Sequence, residues 1–166
     1  MNFILRNWNS DDLSSLVKYA NNYNIAKNLT NLFPYPYTIE HGKVFIEKAN
    51  SSNAHLILAI DINGEAIGGI GLHPQTDIHI KNAELGYWLA EPFWGNGIIT
   101  SAIKQIVEKG FMELDIERIF ARPFGTNIGS QKVLEKAGFN LEARLEKTIL
   151  KNGEYLDELI YAVRKN

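Results

Sequence analysis

The sequence predicts a mixed α/β fold: a central, mostly antiparallel sheet of seven strands with helices on both faces. Three observations carry that expectation. Asn63-Gly64 and Asn152-Gly153 each stand between apolar runs, and Asn-Gly is the strongest short hairpin signal, so each joins an antiparallel pair. The stretch 83–122 reads strand, helix, strand, the unit that allows a parallel pair. Apolar residues recur at helix spacing in several other segments.

In order, 3–8 reads as a strand. Asn9-Ser10-Asp11-Asp12 supplies cap candidates and early acids, and Leu13, Leu16, Val17 and Ala20 recur on one helix face. Asn21-Asn22 breaks that helix, and a short second one covers 24–28. Two prolines then hold Leu32-Phe33-Pro34-Tyr35-Pro36-Tyr37 out of helix as an extended aromatic loop. Thr38 caps a helix running to about Asn50. Strands follow at 55–61, 65–72 and 83–90. A helix with Ile99, Ile103, Ile106, Val107 and Gly110 on one face precedes a short strand at 118–122. Asn127 caps a helix containing Val133, Leu134 and Ala137, which Gly138 ends. Strands at 141–150 and 154–163 form the last hairpin.

The 166 residues fit one domain, 1–166, with no internal repeat or linker. A net charge of −2 excludes the broad basic surface of a nonspecific nucleic-acid binder. The absence of cysteine excludes a disulfide scaffold, a Cys-ligated metal and a cysteine nucleophile. His41, His55, His73 and His79 show no ligand spacing, so no metal is expected. The chain turns polar after Phe3-Ile4-Leu5, and its apolar runs reach about six residues, against roughly 20 for a membrane helix. The expectation is a soluble, cytoplasmic protein with no membrane or direct nucleic-acid partner.

The most informative stretch joins the fourth strand to the next helix: Trp88-Leu89-Ala90-Glu91-Pro92-Phe93-Trp94-Gly95-Asn96-Gly97-Ile98-Ile99-Thr100. A Gly-x-Gly turn opens a helix whose first N–H groups lack internal partners and whose dipole is positive there, which suits a phosphate or diphosphate. An ordinary tight turn is the alternative. The dinucleotide fingerprint Gly-x-Gly-x-x-Gly fails, since Thr100 stands where its third glycine belongs.

Over Trp94 to Ile99 the chain resembles the GNAT superfamily of acetyl-CoA-dependent N-acetyltransferases. Their hallmark, Gln/Arg-x-x-Gly-x-Gly/Ala, starts the helix after the fourth strand. Gly97 matches its central glycine. Trp94 and Ile99 depart from it, and both departures resemble the RimJ/RimL-like branch of ribosomal-protein N-terminal acetyltransferases, with its Tyr/Phe-Trp-Gly-x-Gly. The segments Phe33-Pro34-Tyr35-Pro36-Tyr37-Thr38, Ala83-Glu84-Leu85-Gly86-Tyr87-Trp88, Asn127-x-x-Ser130-x-x-Val133-Leu134-Glu135-Lys136-Ala137-Gly138-Phe139 and Asp157-Glu158-Leu159-Ile160-Tyr161 are similar to that branch in order along the chain.

The resemblance implies the GNAT fold, with the fourth and fifth strands splayed into a V. It implies acetyl-CoA as cosubstrate, its pantetheine on the backbone of Trp88, Leu89 and Ala90 and its diphosphate on the amides of Gly95, Asn96, Gly97, Ile98, Ile99 and Thr100. Asn127 would hold the pantetheine arm, and Lys132 and Lys136 would lie near the 3′-phosphate or simply face solvent. The reaction is direct attack of an amine on the thioester in a ternary complex. Glu84 resembles the catalytic base of histone-acetylating relatives, the alternative being a structural carboxylate that caps a turn or pairs with a cation. A backbone N–H near Leu89 would serve the oxyanion. The slot of the usual tyrosine acid reads as Leu134, so Ser130, one turn earlier, is either the acid or a cofactor ligand. Phe33, Tyr35 and Tyr37 line the acceptor cleft or fill a gap over the sheet. The acceptor is a protein N-terminus or a small-molecule amine, and a homodimer is possible. A noncatalytic acetyl-CoA-binding domain and a nucleotide-binding oxidoreductase are the competing classes.

Overall fold

The structure, a computed structural model, describes residues 1–51 and 56–166. The elements are β1 (Ile4–Asn7), α1 (Leu13–Ala20), α2 (Tyr23–Ala26), α3 (Ile39–Ala49), β2 (Leu56–Ile62), β3 (Glu65–Pro74), β4 (Asn82–Leu89), α4 (Ile98–Glu113), β5 (Arg118–Ala121), α5 (Ile128–Lys136), β6 (Asn140–Lys151) and β7 (Glu154–Arg164). The expected strand start at His55, and that histidine itself, lie outside the described residues. The strands form one seven-stranded sheet in the order β1-β2-β3-β4-β5-β7-β6. β1 runs antiparallel to β2, β5 to β7 and β6 to β7, while β4 and β5 are parallel. The mixed, mostly antiparallel sheet expected from the two hairpin turns and the strand–helix–strand unit is therefore present.

Local chemistry sets most boundaries. Asn9 accepts from the Asp11 N–H and opens a 3-10 turn that leads into α1. Asn22 accepts from the Asn24 N–H at 2.7 Å, so α2 starts at Tyr23, one residue before the expected 24–28, and it ends earlier, at Ala26. Thr38 and His41 cap α3 reciprocally. α4 spans 16 residues, because the chain stays helical past Gly110 to Glu113.

By internal contacts the chain divides into two compact units, 1–71 with 87–98, and 72–86 with 99–166. The core of the first contains Trp8, Leu16, Ala20, Ile25, Tyr37, Ile46 and Trp88. Trp8 meets Phe45 edge-on, with centroids 5.2 Å apart. In the same unit the backbone at Gly68 passes so close to β4 that a Cβ there would lie 2.6 Å from the Trp88 carbonyl oxygen. In the second unit Leu72, Ile103, Ile106, Ile119, Leu134 and Leu159 are the largest fully buried side chains. None of the helices among the described residues is long and apolar enough to cross a membrane.

Candidate functional site

The loop from Ala90 to Ile98 is tied down by its own polar groups. The Ala90 N–H donates to the Ile67 carbonyl at 2.8 Å, and the Ala90 carbonyl accepts from Phe93 N–H at 3.0 Å. Glu91 accepts from the amides of Asn22 at 2.7 Å and Asn24 at 3.1 Å, which hold its carboxyl below the usual range. The Trp94 indole N–H donates to the Leu89 carbonyl at 2.7 Å, fastening the loop to the end of β4. Gly95 and Gly97 have φ of +78° and +73°, in the left-handed region that favours glycine. The Asn96 side chain turns inward and donates to the carbonyls of Phe93 and Trp94. Gly95, Asn96 and Gly97 are exposed, while Ile98 is only 2% exposed and anchors the first residue of α4. A Cβ built on either glycine meets nothing within 4 Å, so backbone faces open space at the positive end of a 16-residue helix.

Glu84 lies on β4 opposite Phe120 of β5, which in turn pairs with Ala162 of β7. Residues paired across a sheet share a face, and so do residues two apart on a strand. Glu84, Arg122 and Glu158 are therefore brought to one face of the second unit. Arg122 donates from Nε to Glu84 Oε1 at 2.9 Å and from Nη2 to Oε2 at 3.1 Å, a bidentate pair. Its Nη1 lies 3.9 Å from Glu158 Oε1. The bonds from Glu84 raise Arg122 above its ordinary value, against the opposing effect of burial. Of the two readings of Glu84, pairing with a cation is the arrangement the side chains adopt. His73, half-buried on β3, places Nε2 3.8 Å from where a Cβ of Gly86 would stand, two residues along β4 from Glu84.

Asn127 caps α5, its Oδ1 accepting from the Ser130 N–H at 3.2 Å. Ser130 is half-buried, and Leu134, one turn on, is fully buried in the core. The aromatic loop divides its labour. Tyr37 is 5% exposed, with burial pushing its hydroxyl up to about 12, and Phe33 packs on both Tyr37 and Trp88. Tyr35 is 55% exposed and meets the exposed Tyr23 edge-on at 5.6 Å. Tyr37 thus fills the core, while Tyr35 presents its ring to solvent. Among the described residues no three His, Asp or Glu side chains gather as a metal site.

The sequence of the chain matches the family described as the acetyltransferase (GNAT) domain over residues 2–140. The chain belongs to the GNAT acetyltransferase family. As a GNAT chain it is 34% identical over 103 residues to the putative ribosomal N-acetyltransferase YdaF of Bacillus subtilis (strain 168), covering 62% of this chain and 56% of that one. The chain spans about half the length of the first curated relatives it matches. Among solved structures it is similar to the microcin C7 self-immunity acetyltransferase MccE in complex with acetyl-CoA and AMP, 26% identical, TM-score 0.85, covering 98% of this chain and 92% of that one. It shares its fold with RimL, a ribosomal L7/L12 α-N-protein acetyltransferase in complex with coenzyme A, at TM-score 0.87 and 21% identity over 99% and 94% of the two chains. The GNAT motif residues read from the sequence fall in the loop, on β4 and at the start of α5. Arg122 was given no role from the sequence, and Glu158 stood there only inside the last-strand motif. The register that joins them to Glu84 was not visible in the sequence. The grip of Asn22 and Asn24 on Glu91 likewise spans more than 60 residues and left no local signal.

Proposed function

We propose that this chain is an acetyl-CoA-dependent N-acetyltransferase that passes the acetyl group to a primary amine, a protein N-terminus or a small-molecule amine, by direct attack in a ternary complex. The observation that carries the reading is the Gly95–Gly97 turn, whose exposed backbone opens α4 in a GNAT chain. The amides of Gly95, Asn96, Gly97, Ile98, Ile99 and Thr100 suit a diphosphate: an anion at a helix start meets several unpaired N–H groups and the positive end of the dipole together. Among the described residues, no atom beyond the adjacent positions lies within 4 Å of a Cβ built at Gly95 or Gly97, which leaves room there for a phosphate. The pantetheine arm takes the backbone of Trp88 and Leu89. Ala90 contributes less, because its N–H is held by Ile67. Asn127 and Ser130 complete the cofactor contacts in this reading.

The cosubstrate supplies an activated acetyl thioester. The chain must then deliver a neutral amine and remove its proton. Glu84 is the proton acceptor in this reading, acting directly or through water once one of its oxygens is released from Arg122. Ser130 acts as a cofactor ligand in preference to an acid. Tyr35, exposed beside Tyr23, is the acceptor-facing member of the aromatic loop, with Phe33 and Tyr37 setting its position. One observation favours a second reading, a noncatalytic acetyl-CoA-binding domain: both oxygens of the candidate base are engaged. Thiol release from acetyl-CoA against peptides, polyamines and aminoglycosides separates the two. Release with at least one amine class supports catalysis; acetyl-CoA binding without release on the whole panel supports the binding domain.

A further inference from the structure

Arg122 is held unequally by two carboxylates from different strands. Glu84, on β4, has both oxygens in the fork of the guanidinium, at 2.9 and 3.1 Å. Glu158, on β7, faces the remaining Nη1 at 3.9 Å, inside ion-pair range but beyond a hydrogen bond. The side chains are 45%, 28% and 20% exposed for Arg122, Glu84 and Glu158, and ion pairs this open to water are weak. A small swing of the guanidinium toward β7 exchanges one carboxylate for the other without leaving the arginine unpaired.

A primary ammonium carries the same charge as Arg122 and donates to the same oxygens. With the fork closed, the guanidinium takes one lone pair of each Glu84 oxygen, so an ammonium arriving there competes with Arg122 for the carboxylate. We infer that Arg122 is an exchangeable counter-ion: it holds Glu84 in the absence of acceptor, and passes to Glu158 when an acceptor's ammonium takes its place. The inference rests on the acetyltransferase reading above, which brings a cationic amine to Glu84. No covalent bond changes in the exchange and the guanidinium keeps its proton. The ammonium first donates to Glu84, then gives it one proton, which leaves through water, and the neutral amine nitrogen is freed for attack. Glu158 thereby becomes a residue that tunes acceptor affinity without touching the acceptor.

The test uses the full chain labelled with ¹⁵N. The Arg122 Nε–H resonance is assigned by its loss in Arg122→Lys and followed during titration with n-propylammonium chloride. Tetramethylammonium chloride at equal ionic strength is the control, having the charge without N–H donors. The exchange predicts that propylammonium moves the resonance, that tetramethylammonium does not, and that Glu158→Gln suppresses the movement. In turnover assays with the most active amine of the panel, Arg122→Gln should lower the amine KM about threefold and Glu158→Gln should raise it about threefold, as expected for a weak competing ion pair. KM for acetyl-CoA should stay within about twofold in both. Equal responses to the two salts overturn the exchange. So does an Arg122→Gln turnover loss that added guanidinium restores, because Arg122 would then be positioning Glu84 rather than competing for it. Failure of the acetyltransferase reading appears separately, as no thiol release with any amine, and the salt comparison still decides the exchange.

Discussion

At the scale of single residues, Gly97 is required first by its own backbone. With φ at +73°, valine there is strained before any ligand arrives, although a Cβ would meet open space. Two substitutions separate conformation from ligand approach. Gly97→Val should weaken acetyl-CoA binding at least tenfold, about 1.4 kcal/mol. Gly97→Asn, which tolerates the left-handed region, should weaken it less while leaving the thermal midpoint near that of the parent. Titration calorimetry with a melting curve reads both. Glu84→Gln should retain acetyl-CoA binding and lower turnover roughly 10²–10⁴-fold, the usual worth of a positioned base. A variant with near-normal steady-state turnover would remove Glu84 from proton transfer. Ser130→Ala should chiefly raise the acetyl-CoA Kd, with turnover at saturation falling less than about tenfold. The candidate residues Glu84, Gly97 and Ser130 were all legible in the sequence because each lies in a contiguous motif. Arg122 was not, because its meaning comes from a partner on another strand.

Among the elements, the aromatic loop shows how one motif carries two jobs. Phe33, Tyr35 and Tyr37 read alike in sequence, yet Tyr37 is buried against Phe33 and His41 while Tyr35 stands out beside Tyr23. Tyr37→Ala should therefore destabilise the fold by about 3 kcal/mol, the range for emptying an aromatic core site, as read by urea unfolding. Tyr35→Ala should leave the unfolding midpoint nearly unchanged and raise the KM for the amine while sparing that for acetyl-CoA. Equal effects on both KM values would give Tyr35 a structural role instead. The helix caps, by contrast, were legible before folding was considered. Thr38 and Asn127 satisfy N–H groups three residues ahead, and such bonds need no tertiary partner. The grip of Trp94 on the Leu89 carbonyl was not, since nothing in a Trp-Gly-x-Gly string says which way the indole turns.

For the whole molecule, stability against acid gathers around Arg6. It donates to Asp12 at 2.7 Å and to Asp61 at 2.8 Å, and both carboxylates are 4% exposed. Burial pushes the Asp12 carboxyl up, but the bonds from Arg6 and from the Asn9 N–H together outweigh it and hold the group below 3.8. A carboxyl lowered in the folded state adds stability above its unfolded pKa, and that contribution is lost as pH falls through the folded one. The melting temperature should thus drop as pH falls below about 4, and Asp12→Asn should flatten that dependence while lowering stability at neutral pH by about 3 kcal/mol, as for a broken buried pair. An unchanged acid slope in Asp12→Asn would assign the loss to other carboxylates. By itself the sequence determined what depends on neighbours along the chain: the two Asn-Gly hairpins, the helix caps, the glycine turn before α4, and through its ordered motifs the GNAT family. Only the tertiary structure decided what depends on register and approach across strands. Which oxygens hold Arg6, which tyrosine is buried, and that the candidate base is clasped by Arg122, with Glu158 near the same guanidinium, follow from distances between residues far apart in sequence, and local periodicity carries no record of those distances.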